Sequence, residues 1–157
     1  MEYSDKRRVC VRGIIYKDGK LFCQELKDKQ GNGRGFWCTP GGGLNAMESL
    51  TDGMAREILE ETGVPAIVGK LLFVQSFADG DTGPHGELEQ LELFFHISNP
   101  EDYVSIDERA SHFDAEIASY GFVDPATTNL LPKFLREIDI QDYISNDKPP
   151  YIYTEFR

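Results

Sequence analysis

The stretch from Pro40 to Val64 constrains this chain more than any other. Pro40-Gly41-Gly42-Gly43 ends the short apolar strand Phe36-Trp37-Cys38-Thr39 and opens a glycine-rich loop. From about Glu48 to Thr62 the residues recur with a helical period, and Gly63 follows the last of them as a left-handed cap. At about 100° per residue, Met54, Ala55, Ile58 and Leu59 fall in an arc of roughly 140°, whereas Glu57, Glu60 and Glu61 fall in a separate arc of roughly 100°. A helix divided in this way lays its apolar arc on another layer and presents a block of carboxylates.

The rest of the chain supplies strands for that layer. Arg8 to Tyr16 is rich in valine and isoleucine, Lys17-Asp18-Gly19-Lys20 makes a tight turn, and Leu21 to Leu26 returns, which predicts a hairpin. Lys27 to Gly35 reads as a loop. Ala66 to Phe77 reads as one or two strands with a break at Gly69-Lys70, and Ala78 to Glu87 as a loop. Leu88 to Ile97 and Ile117 to Val123 are further strands, with polar, irregular sequence from Asn99 to Asp114 between them. Asn129 to Ile138 reads as a second helix with Pro132 in its first turn, and a tail runs from about Asp139. Strands with one central and one late helix imply an α+β fold over a single domain, residues 1–157.

Composition narrows the function. The 157 residues carry a net charge of −11, so the basic footprint needed to grip a nucleic-acid polymer is missing. No apolar run approaches the roughly 20 residues of a membrane helix, and Met1-Glu-Tyr-Ser-Asp-Lys-Arg-Arg is no secretory signal, so the expected location is cytoplasmic. Cys10, Cys23 and Cys38 form no C-x-x-C pair, and His85, His96 and His112 share no ligand spacing.

Three carboxylates on one helix face repel one another, and cations relieve that cost. Clustered hard oxygen donors suit Mg²⁺ or Mn²⁺ rather than zinc. An isolated Glu-Glu pair is most often a solvated surface, but here more positions are specified. Five residues separate Gly42 from Glu48, and seven separate Glu48 from Arg56-Glu57. Ile58, Leu59, Glu60-Glu61, Thr62, Gly63 and Val64 then follow. This series resembles the signature of the Nudix hydrolase family at every defining position, and Trp37-x-x-Pro40-Gly41-Gly42 resembles its usual lead-in. At about 5 to 7% usage per specified residue, a chance match is on the order of one in ten million.

The resemblance implies an α/β/α sandwich around a mixed sheet. It implies hydrolysis of a diphosphate linkage with Mg²⁺ (or Mn²⁺), in a small-molecule nucleoside diphosphate derivative. The family's metal ligands fall on Glu57, Glu60 and Glu61, with the carbonyl of Gly42, and its structural pair falls on Arg56 and Glu48. The backbone at Gly41 and Gly43 lies where ions or phosphate would come close. A further acid often comes from outside the signature. Glu87, Glu89, Glu92, Asp114 and Glu116 are the candidates, with Glu116 favoured, although Ser119 and Tyr120 stand where the family often has that glutamate. Tyr16, Phe22, Phe36, Trp37, Phe77 and Tyr120 could stack a base, Trp37 first among them, against the commoner core role of strand aromatics. The loop Asp79 to Gly86 is a candidate lid.

A nucleotide-binding sensor without hydrolysis is the alternative to the enzyme, and an isomerase of the isopentenyl-diphosphate type is a third reading. Sensors can lose signature glutamates, and none is lost here. Two smaller expectations follow. Gly53 lies beside Glu57 and Glu60, so its missing side chain either leaves room for hydrated metal or substrate, or is tolerated on an exposed turn. The aromatic tail from Tyr151 to Phe156 either contributes to a homodimer or packs as a last strand on its own domain.

Overall fold

The computed structural model describes residues 7–78, 89–106 and 116–155. The proposed lid from Asp79 to Gly86, together with His85, Glu87, His112, Asp114 and Phe156, lies outside the described residues. Two five-stranded sheets face each other. The first contains β1 (Arg8–Ile14), β5 (Gly41–Gly43), β6 (Val68–Ala78), β7 (Glu89–Ile97) and β10 (Tyr151–Glu155), in the order β10-β6-β7-β1-β5. It is mixed: β1–β7 and β10–β6 are parallel, while β1–β5 and β6–β7 are antiparallel. The second contains β2 (Tyr16–Lys17), β3 (Lys20–Lys27), β4 (Gly33–Cys38), β8 (Ile117–Val123) and β9 (Leu130–Leu131).

The α+β expectation holds, and the topology corrects several elements. β1 does not fold back on β3; only Tyr16 and Lys17 pair with Leu21 and Lys20. At Ile15 the chain leaves the first sheet, and its carbonyl accepts the Phe22 N–H at 2.9 Å. Alternation alone cannot tell which sheet a valine-rich strand joins. Gly41 to Gly43 is a short strand rather than a free loop, held in register against Arg12, Val11 and Cys10. β6 is one strand, with register shifts around Gly69-Lys70.

The expected helix from Asn129 to Ile138 does not form. Leu130 and Leu131 instead pair with Trp37 and Cys38, and a 3-10 turn, Lys133–Arg136, follows Pro132. Helix α2 (Ile140–Ser145) lies in the stretch read as tail, capped by the Asp139 carboxylate, which accepts the Asp142 N–H at 3.1 Å. The tail ends as β10, paired with Phe73 to Phe77 of β6. The last strand therefore packs on its own sheet.

One core cluster joins both sheets to the 3-10 turn and α2 through Ile14, Leu21, Phe73, Phe94, Leu130 and Phe134. A second lies under helix α1 (Leu50–Thr62), where Met54 and Ile58 meet Val11, Phe22, Phe95 and Ile97. The apolar arc of α1 is displaced from expectation: Met54, Ile58 and Thr62 are buried, whereas Leu59 is 47% exposed. Among the described residues no helix is long and apolar enough to cross a membrane.

Candidate active site

The site is built where β5 runs into α1. Ser49 caps the helix, its hydroxyl accepting the Asp52 N–H at 3.1 Å, and Gly63 ends it in the left-handed region at φ 71°. Capping at both ends fixes the rotation of α1, and so the direction of its glutamates.

Arg56 organises the upper half of the site. Its Nε and Nη2 donate to the two oxygens of Glu48 at 2.7 and 2.9 Å, and Nη2 also donates to the Gly43 carbonyl at 3.1 Å. Its Nη1 reaches Glu57 at 2.9 Å and Glu60 at 3.2 Å. The expected Glu48–Arg56 pair is therefore present and ties the segment before the helix to the helix itself. The two guanidinium contacts to Glu57 and Glu60 were not legible from spacing alone. Arg56 and the Asn45 N–H together hold the Glu48 carboxyl down at about 2, far below the usual glutamate value.

Glu57 lies directly over the backbone of Gly42. A methyl group on Gly42 would stand 2.6 Å from Glu57 Oε2, so the absent side chain is what lets carboxylate and backbone approach. Glu61 turns toward the end of β5, where the Gly41 N–H donates to its Oε2 at 2.7 Å. Burial pushes the Glu61 carboxyl up to about 7, and the Glu57 charge adds to the rise. The Gln24 side-chain hydrogen bond, the Arg12 charge and the Gly41 N–H oppose it.

Behind Gly41 is a second ion pair that sequence reasoning missed. Arg12 Nη1 donates to the Gly41 carbonyl at 3.1 Å and its Nε to Glu92 at 3.0 Å, with side chains 19% and 7% exposed. Arg12 and Glu92 each interrupt an apolar strand, and that was the available signal; their pairing needed the parallel β1–β7 register. Glu92, a candidate outside acid, is thus engaged with Arg12, and Glu89 with Arg7.

The carboxylates meet the chemical requirement for Mg²⁺ or Mn²⁺: hard oxygen donors on one face, beside a backbone that approaches closely. One cation already offsets part of their charge, because Arg56 Nη1 is shared by Glu57 and Glu60 while its Nε and Nη2 hold Glu48. Among the described residues no three His, Cys, Asp or Glu side chains are gathered about one point.

The remaining candidates stand elsewhere. The Glu116 carbonyl accepts from Lys27 N–H, three residues along β3 from Gln24, or about 10 Å at strand rise. Trp37 packs half-buried against the first core cluster, its backbone paired with Leu130. Phe22 is a core residue, stacked among Tyr103, Tyr120 and Phe122. Gly53 is neither on an exposed turn nor beside open space. It is buried, and a methyl group there would meet Leu44 Cδ2 at 2.4 Å and Glu48 Oε2 at 3.0 Å.

Comparison with known proteins matches the NUDIX domain over residues 6–140. The chain is similar to an ADP-ribose pyrophosphatase from Methanocaldococcus jannaschii, with 32% identity over 67% of this chain and 60% of that protein's length. It is also similar to the nucleoside triphosphatase NudI of Escherichia fergusonii, with 27% identity over 69% of this chain and 80% of that one. Among solved structures, a MutT protein from Methanosarcina mazei superimposes with a TM-score of 0.64 at 24% identity, covering 85% of this chain and 91% of that one.

Proposed function

The chain belongs to the NUDIX domain family, and from that premise we propose that it is a divalent-metal-dependent pyrophosphohydrolase acting on a nucleoside diphosphate derivative. The observation that carries the reading is the intact carboxylate face of α1. Glu57 lies over Gly42, Glu60 shares Arg56 with it, and Glu61 is fixed by the Gly41 N–H. A bound Mg²⁺ or Mn²⁺ would neutralise diphosphate oxygens and lower the pKa of an attacking water. Glu57, Glu60 and Glu61, with the Gly42 carbonyl, would hold it. Arg56 holds Glu57 and Glu60 in place, and its tie to Glu48 and Gly43 keeps β5 and α1 in a fixed relation. Little covalent chemistry is asked of the protein, so positioning and charge dominate. In this proposal Glu116, immediately before β8, supplies the outside acid.

A panel of diphosphates tests this: ADP-ribose, dinucleoside polyphosphates, nucleoside triphosphates and sugar nucleotides, each with Mg²⁺, with Mn²⁺ and with chelator. Metal-dependent release of a nucleoside monophosphate or of phosphate is the expected result. Turnover undiminished in excess chelator refutes the mechanism. Tight nucleotide binding with no cleavage of any substrate favours the sensor.

A further inference from the structure

Glu61 is held differently from the other two carboxylates of α1. Glu57 and Glu60 share a cation, Arg56 Nη1. Glu61 accepts from two neutral donors, the Gly41 N–H at 2.7 Å and the carboxamide of Gln24. The two donors come from different sheets: Gly41 opens β5 in the first, and Gln24 lies midway along β3 in the second. A neutral donor orients a carboxylate without cancelling its charge.

Alternation along β3 brings Gln24 to this place. Phe22, two residues earlier, belongs to the core cluster under α1 with Met54 and Ile58, so Gln24 leaves the strand on the face turned to that helix. Leu21 and Cys23, on the other face, belong to the first core cluster. Four consecutive residues, Leu21 to Gln24, are buried, and the fourth is polar; Gln24 is 1% exposed. Burying a carboxamide there is costly. Its Oε1 has no hydrogen-bond partner, and a sealed acceptor gives up water without replacement. Cys38, opposite Gln24 on β4, directs its thiol to the Gln24 backbone carbonyl at 3.7 Å and not to the carboxamide. An apolar side chain of the same length would fill this space without that cost. What the carboxamide adds is the bond to Glu61.

We propose that Gln24 is a positioning residue for Glu61: it fixes the carboxylate that sits between the two sheets, and it lowers the stability of the resting fold in doing so. The inference rests on the metal-dependent reading for the work Glu61 does, but not for the effect on stability. A residue present for packing behaves in the opposite way, because its replacement lowers stability and activity together.

Gln24→Met keeps the length of the side chain and removes both the donor and the unpaired oxygen. Glu61 is half-buried and keeps the Gly41 N–H, so water replaces the lost donor, whereas Oε1 is sealed from water. Without metal, the Tm of Gln24→Met is expected to match or exceed that of the wild type, by up to about 4 °C, the scale of one buried unpaired acceptor in a chain of this size. Mn²⁺ affinity, read by calorimetric titration without substrate, should fall by about tenfold, the scale of one hydrogen bond to a charged group. With a diphosphate that the wild type cleaves, kcat should fall by a similar factor at unchanged KM, because a side chain this deeply buried does not meet substrate. Gln24→Asn keeps the carboxamide but is one methylene too short to reach Glu61. It should lose Mn²⁺ affinity as Gln24→Met does, and melt below Gln24→Met.

A Gln24→Met protein that melts below the wild type or fails to fold overturns the proposal. So does wild-type Mn²⁺ affinity in either variant, or a wild type that binds no Mn²⁺ at millimolar concentration. Hydrolysis is read separately. Weakened Mn²⁺ binding at undiminished Tm, with no diphosphate cleaved by the wild type, sinks the enzyme reading alone. Metal-dependent cleavage with the same kcat and Mn²⁺ affinity in Gln24→Met sinks the positioning role alone.

Discussion

Gly53→Ala separates helix propensity from tertiary packing. In an isolated helix the substitution stabilises by about 1 kcal/mol. Here the new methyl would stand 2.4 Å from Leu44 Cδ2 and 3.0 Å from Glu48 Oε2. The Leu44 methyl is the end of a flexible side chain and can rotate away. Glu48 cannot, because Arg56 Nε, Arg56 Nη2 and the Asn45 N–H all hold its carboxylate. Overpacking of this kind costs roughly 1 to 3 kcal/mol, so the net expectation is a loss of about 1 kcal/mol. For a chain of this size that lowers Tm by about 2 to 4 °C. Turnover should fall as well, since displacing Glu48 loosens Arg56 from Glu57 and Glu60. Adding Leu44→Ala to Gly53→Ala should recover only part of the loss, and Gly53→Leu should cost more than Gly53→Ala. Thermal melts and steady-state kinetics on the four proteins measure this. A Gly53→Ala protein stabilised by the full helix-propensity gain, with unchanged kinetics, would show that the Leu44–Glu48 segment moves freely and refute the reasoning.

Glu48→Gln should lower Tm at neutral pH. The folded-state pKa of Glu48, about 2, lies below its ordinary 4.5, so the stability it contributes is full above about 4.5 and is lost as pH falls toward 2. The Tm gap between wild type and Glu48→Gln should therefore shrink between pH 4.5 and 2; a gap constant across that window would argue against the pair. Glu92→Gln should cost about 3 kcal/mol or more by leaving Arg12 charged, buried and unneutralised, which denaturant titration reads directly. Glu60→Gln and Glu61→Gln should cut turnover by roughly 10² to 10⁴ while leaving the metal-free fold intact, and loss of folding in both would assign them a structural role instead.

The local decisions were legible in the sequence because they depend on near neighbours. Gly63 ends the helix by capping chemistry, and a period of 3.6 residues is enough to put Glu57, Glu60 and Glu61 on one face. The Gly42–Val64 series named the family and, with it, the Glu48–Arg56 pair. Periodicity did not tell which partner a segment finds. Leu130 and Leu131 carry a pattern that suits a helix, but they pair with Trp37 and Cys38, some 90 residues earlier. Tyr151 to Glu155 was legible as an aromatic tail, but its parallel pairing with β6 was not. Arg12 and Glu92 lie 80 residues apart, and only the parallel register of β1 on β7 turns two isolated charges into one buried pair behind Gly41. Gly53 was read by its angle on the helix, whereas its environment is set by Leu44 and Glu48 folding back over it. The sequence alone thus determined the helix and the shared face of its carboxylates, which follow from spacing along one element. Tertiary structure decided which charges are neutralised, which glycines are crowded and which polar atoms are buried without partners, because those depend on segments that meet only when distant strands pair.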